Sequence, residues 1–121
     1  MYRYRRKLSL GLEEAEEKFE EKFKAKLEEK GYKVVLEFTP SDVVRSKLNI
    51  DMEPYRLLWV CNPKAFYEMT KEDYEIGSFA PCPVLFYQRD GETYVAINTA
   101  EEILPIMGKA FEDVKSVVES L

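Results

Sequence analysis

Tyr55-Arg56-Leu57-Leu58-Trp59-Val60-Cys61-Asn62-Pro63 is the stretch on which the reading of this chain turns. Leu57 to Cys61 are apolar without interruption, so this is not a strand with one wet face; a strand apolar on both sides is covered on both sides. In a small domain with few helices, helices cover one side and a second subunit covers the other. Asn62 and Pro63 then close the strand and open a helix, because asparagine satisfies first-turn amides and proline is preorganised for the first helical position. The spacing predicts a strand over 55–61 and a short helix from Pro63 to about Thr70. Tyr55 and Trp59 on the strand, and Asn62 at its end, are candidate ligand or interface residues.

Toward the N-terminus, Tyr2, Tyr4, Arg6 and Leu8 alternate with Arg3, Arg5 and Lys7, the period of a strand with a basic face toward solvent. The period changes at Leu12: Leu12, Ala15, Phe19, Phe23 and Leu27 form a helical stripe among Glu and Lys. Gly11 is a candidate cap, and Glu14 with Lys18 and Glu20 with Lys24 are spaced as i,i+4 ion pairs. Gly31 ends this helix. Tyr32, Val34, Leu36 and Phe38 alternate with Lys33, Val35, Glu37 and Thr39 as a half-buried strand. Pro40 stops it, and Val43 to Leu48 form a short helix capped by Ser41 or Asp42.

Toward the C-terminus, Lys71 to Ser78 is a polar connector. Val84 to Arg89 and Glu92 to Ile97 flank Asp90-Gly91, residues suited to a tight hairpin turn. Thr99 and Glu102 match a capping box whose helix Pro105 interrupts or re-aims. After Gly108, the stripe Ala110, Phe111, Val114, Val117, Val118 and Leu121 marks a terminal amphipathic helix. The expected fold is one α+β domain over residues 1–121. It has an antiparallel sheet of about five strands with two main helices on one face, in the order β-α-β-β-β-β-α.

With 45% apolar and 34% charged residues, the composition is that of a soluble globular protein. The net charge of -5 disfavours general nucleic-acid or anionic-membrane binding, which relies on positive charge. Arg3, Arg5, Arg6 and Lys7 are the local exception. No apolar run approaches the roughly 18 residues of a membrane span, and no secretion signal is evident, so a cytoplasmic protein with reduced cysteines is expected.

Histidine is absent, which removes the usual general base, the commonest zinc ligand and the usual haem ligand. No glycine-rich phosphate loop occurs. No catalytic set, metal or cofactor is assigned on these grounds, and an enzyme is the less favoured reading. Cys61 and Cys82 are the remaining catalytic candidates. Cys61 precedes a helix N-terminus, which favours the thiolate, and Cys82 stands between Pro81 and Pro83. Equally, free cysteine behaves as a small buried hydrophobe, and Cys61 continues an apolar run.

Tyr55, Leu58, Cys61, Asn62 and Pro63, followed by Glu75-Ile76-Gly77, Pro81, Cys82 and Val84, resemble the signature of the domain-of-unknown-function 302 family. The resemblance runs from the Glu-Glu-Ala helix near Leu12 to the hairpin. It implies strand, helix, four strands and helix, similar to half of the TATA-binding protein, and a tendency to form homodimers. Pro83, Trp59 and Val60 depart from the pattern. The expected function is a noncatalytic homodimeric module that binds a small molecule or a protein partner. The alternative is a thiol-dependent redox or sulfur-handling protein using Cys61 as nucleophile and Cys82 as resolving thiol.

Overall fold

The computed structural model describes residues 2–8, 19–78 and 82–120, and of Tyr2 and Cys82 the backbone alone. Strands β1 (Tyr2–Leu8), β2 (Lys33–Phe38), β3 (Tyr55–Cys61), β4 (Cys82–Arg89) and β5 (Glu92–Thr99) form one antiparallel sheet in the order β1-β5-β4-β3-β2. The helices are α1 (Glu20–Glu29), α2 (Pro40–Leu48), α3 (Pro63–Glu72) and α4 (Leu104–Glu119), with 3-10 turns at Tyr74–Ser78 and Glu101–Ile103. The α+β architecture follows the sequence reading, with β3 in the interior of the sheet. Among the described residues, no helix is long and apolar enough to cross a membrane.

The core lies between the sheet and α1 and α4. Phe23 and Leu27 from α1, Phe111, Val114 and Val118 from α4, and Leu58, Val84 and Val95 from the strands are buried. Phe86 receives Phe19 and Phe23 edge-on, with ring centroids 5.5 and 5.8 Å away, an arrangement that aromatic quadrupoles favour. Gly31, at φ +83°, takes the left-handed conformation that ends α1, and the backbone amide of Tyr32 donates to the Leu27 carbonyl. The hairpin turn is as expected, with positive φ at Asp90 and Gly91.

Several expectations are corrected. The alternation predicted for β2 holds only to Val34, because a bulge leaves Val35 outside the pairing; Val34 is opposite Val60, and Leu36 opposite Trp59. One extra residue inverts the parity of the remainder of the strand. Leu36 and Phe38 therefore turn away from the core and stay 56% and 46% exposed, while Glu37 turns toward α1.

The α1 charges also differ from the i,i+4 scheme. Glu20 engages Arg56 of β3 at 2.8 Å, and Lys24 engages Glu37 of β2 at 2.6 Å. Sheet residues beneath the helix outcompete its own next turn because they hold fixed partners in a partly desolvated site. Leu12, Ala15, Gly11 and the Glu14 and Lys18 pair lie outside the described residues.

Pro40 follows the end of β2, as expected, but the helix starts near the prolines differ from the expected caps. Pro40 begins α2, and Ser41 is buried without capping the helix; its Oγ accepts from the Tyr55 amide at 3.0 Å. Pro105 lies in the first turn of a single 16-residue α4, and the expected Thr99 cap is replaced by a 3-10 turn after Ala100. The missing amide of proline costs nothing in a first turn, where it would have no intrahelical acceptor.

Candidate functional site

Antiparallel register organises the face of the sheet turned away from the core. Residues directly opposite share a face, so the side chains stand in rows running across the strands. One row is Tyr55, Tyr87, Tyr94 and Lys7; the next is Phe38, Leu57, Leu85, Ala96 and Arg5. A third contains Leu36, Trp59 and Pro83, and on the far strands Asn98 with Arg3. None of these residues joins the buried core cluster. Each row thus grades from apolar at β2 and β3 to basic at β1.

The apolar half is Leu36, Phe38, Leu57 and Trp59. The polar half holds a basin of about 520 Å³ lined by Arg3, Arg5, Tyr55, Leu85, Tyr87, Ala96 and Asn98. Its floor is low because Ala96 places a methyl group where its neighbours place large side chains. Tyr87 and Tyr94 stack with centroids 5.2 Å apart and an interplanar angle of 21°. Arg5 lies over the Tyr94 ring with its guanidinium carbon 4.8 Å from the centroid, within cation–π range. Lys7 pairs with Glu92, which also accepts from the Tyr94 hydroxyl at 2.6 Å. The Glu92 hydrogen bond and a lesser burial effect push the Tyr94 phenol up, while the Lys7 and Tyr94 hydrogen bonds hold the Glu92 carboxyl down. Arg3 is exposed and, among the described residues, has no charged or hydrogen-bonding partner for its guanidinium.

Tyr55 and Trp59 both stand on this face. Asn62 is elsewhere, and its contacts are architectural. Its Oδ1 accepts the Ala65 amide at 3.0 Å as the cap of α3, and its Nδ2 donates to the Lys30 carbonyl at 3.3 Å. It borders a separate cleft of about 260 Å³ between α3 and α4, where the Tyr32 hydroxyl donates to Asp113 at 2.9 Å.

Cys61 is a half-buried thiol at the end of β3. Burial pushes it above the ordinary thiol range, opposite to the shift expected from a neighbouring helix N-terminus. Desolvation is the cause, and the Ala65 amide in the first turn of α3 is taken by Asn62 rather than turned to the thiol. The cross-strand partner of Cys61 is Lys33, whereas Cys82 is opposite Val60. Among the described residues, no three His, Cys, Asp or Glu side chains converge as a metal site.

Sequence reasoning assigned the β1 arginines to solvent and the strand aromatics to core or interface one by one. It missed Leu85, Ala96 and Asn98, although the alternation of Tyr94, Ala96 and Asn98 against Thr93, Val95 and Ile97 carried the signal. Leu36 and Phe38 had no such signal, because a bulge is a property of pairing.

The chain matches no curated protein. It is similar in structure to an uncharacterized conserved DUF302 protein from Bacillus stearothermophilus, with a TM-score of 0.73 at 24% identity over 99% of this chain and 91% of that one. The family model for the domain of unknown function DUF302 matches residues 6–121, and the chain belongs to that family.

Proposed function

We propose that this protein is a noncatalytic homodimeric binding module, and that the face of the sheet turned away from its core is the working surface. The observation that carries the reading is the apolar end of that face. Leu36 and Phe38 are 56% and 46% exposed beside Leu57 and Trp59, where the bulge has turned them outward. A contiguous exposed apolar patch is a mark of association in soluble proteins. The occupant we assign is a second copy of this chain, packed face to face. Edge-to-edge pairing through β2 is less compatible, since the bulge interrupts the row of groups a new strand would need.

Light scattering after size exclusion tests this. The expected mass is twice that of the chain at micromolar concentration, falling to one chain when Phe38 is replaced by Lys. A wild-type mass of one chain refutes the dimer.

The thiol-dependent alternative draws less support. Burial pushes the Cys61 thiol up, away from the thiolate, and Lys33 rather than Cys82 is its cross-strand partner.

A further inference from the structure

We infer that the basin at the β1 end of the same face binds a small planar aromatic anion, a ring bearing one carboxylate or phosphate. This rests on the proposal that the outer face is the binding surface, and it names the ligand class for the half that the apolar patch leaves uncovered. Three features of the basin converge on that class.

First, the floor is apolar: Leu85 and Ala96 are cross-strand partners, and Ala96, 6% exposed, is recessed among the larger side chains that line the basin. Second, Tyr55 and Tyr87 both line the basin as an aromatic wall, their centroids 6.5 Å apart and their planes tilted by 34°. Offset or edge contacts of this kind are the favoured geometry between aromatic rings. Third, two guanidinium groups stand at one end. Arg5 is held by its position over Tyr94 and by a 3.5 Å approach of its Nη1 to the Tyr87 hydroxyl, while Arg3 keeps its donors available. A guanidinium matches the planar fork of a carboxylate or the oxygens of a phosphate.

Positive charge gathered here on a chain of net charge -5 gives the basin a sign opposite to that of the molecule as a whole, which steers an anion to it. The volume, about 520 Å³, lies within the range usual for small-molecule sites, roughly 300–1,000 Å³. The arginines of β1 thus have a role beyond keeping an edge strand soluble, since an edge charge needs neither a stacked tyrosine nor a hollow beside it.

Isothermal titration of the full chain tests the inference, with 2-naphthoate and adenosine 5′-monophosphate as probes and with 2-naphthylmethanol and adenosine as their neutral counterparts. At least one anion is expected to bind, and its neutral counterpart to bind about tenfold more weakly or worse, the scale of one charge-assisted hydrogen bond. The double variant Arg3→Gln/Arg5→Gln, at exposed positions, is expected to lose about tenfold or more while unfolding as the wild type does. Ala96→Leu is expected to abolish binding by filling the floor. Equal binding of charged and neutral probes, no binding of either anion at millimolar concentration, or undiminished binding by the arginine double variant would each overturn it. The oligomer mass is read separately: a monomer that binds the anion removes only the dimer, and a dimer that binds neither anion removes only this inference.

Discussion

Replacing Arg56 with Met should destabilise the protein by roughly 2–3 kcal/mol, about half to two-thirds of the 3–5 kcal/mol typical when one partner of a buried ion pair is removed. The discount comes from the structure. Arg56 reaches from β3 to Glu20 at 2.8 Å, to Glu37 at 3.1 Å and to the Thr39 hydroxyl at 3.1 Å, and its side chain remains 23% exposed. Glu20, by contrast, is only 8% exposed, and the substitution strands its carboxylate at the start of α1 with no other ion-pair partner among the described residues. For 121 residues this corresponds to a fall in Tm of about 8–12 °C, taking the usual unfolding entropy per residue. The assay is urea unfolding followed through Trp59, the single tryptophan, alongside circular dichroism. The double variant Arg56→Met/Glu20→Met should recover at least about 1 kcal/mol relative to the sum of the single changes, because no charge is then left buried alone. The cluster also has a pH signature. The Lys24 hydrogen bond and charge, with a lesser share from Arg56, outweigh burial and hold the Glu37 carboxyl below its ordinary range, so its contribution is present above that range and is lost as pH falls through the lowered value. A cost under about 1 kcal/mol for Arg56→Met, or strict additivity in the double variant, would refute the claim that this pair docks α1 on the sheet.

Two more outcomes are expected from the site geometry. Asn62→Ala should cost about 1–2 kcal/mol by removing the α3 cap and the link to the Lys30 carbonyl, measured by thermal unfolding, with anion binding in the outer-face basin unchanged. Alkylation of Cys61 by iodoacetamide in a Cys82→Ser variant should be slow at neutral pH and accelerate only above the ordinary thiol range, since burial raises the thiol; a rapid reaction at pH 7 would restore the thiol-dependent reading.

Features that depend on near neighbours were legible in the sequence. The Asn62-Pro63 helix start, the Gly31 stop and the Asp90-Gly91 turn are set by the conformations those residues permit, and each occurs where the chain order places it. The apolar run at 57–61 likewise marked a strand, which lies in the interior of the sheet with Leu58 and Val60 in the core. Reasoning from local pattern failed where an alternative was equally good locally. Pro105 suits the interruption of a helix or its first turn, and Lys24 suits Glu20 or any carboxylate the sheet brings near it.

The sequence by itself therefore determined the elements, their order and the family. Only the tertiary structure decided which side of the sheet each residue serves. A single unpaired residue, Val35, reverses the faces of Leu36 and Phe38, and cross-strand register alone brings Arg3 and Arg5 beside Tyr87, Leu85 and Ala96. Both depend on pairing between strands far apart in the chain, and a period of two does not encode where a bulge will fall.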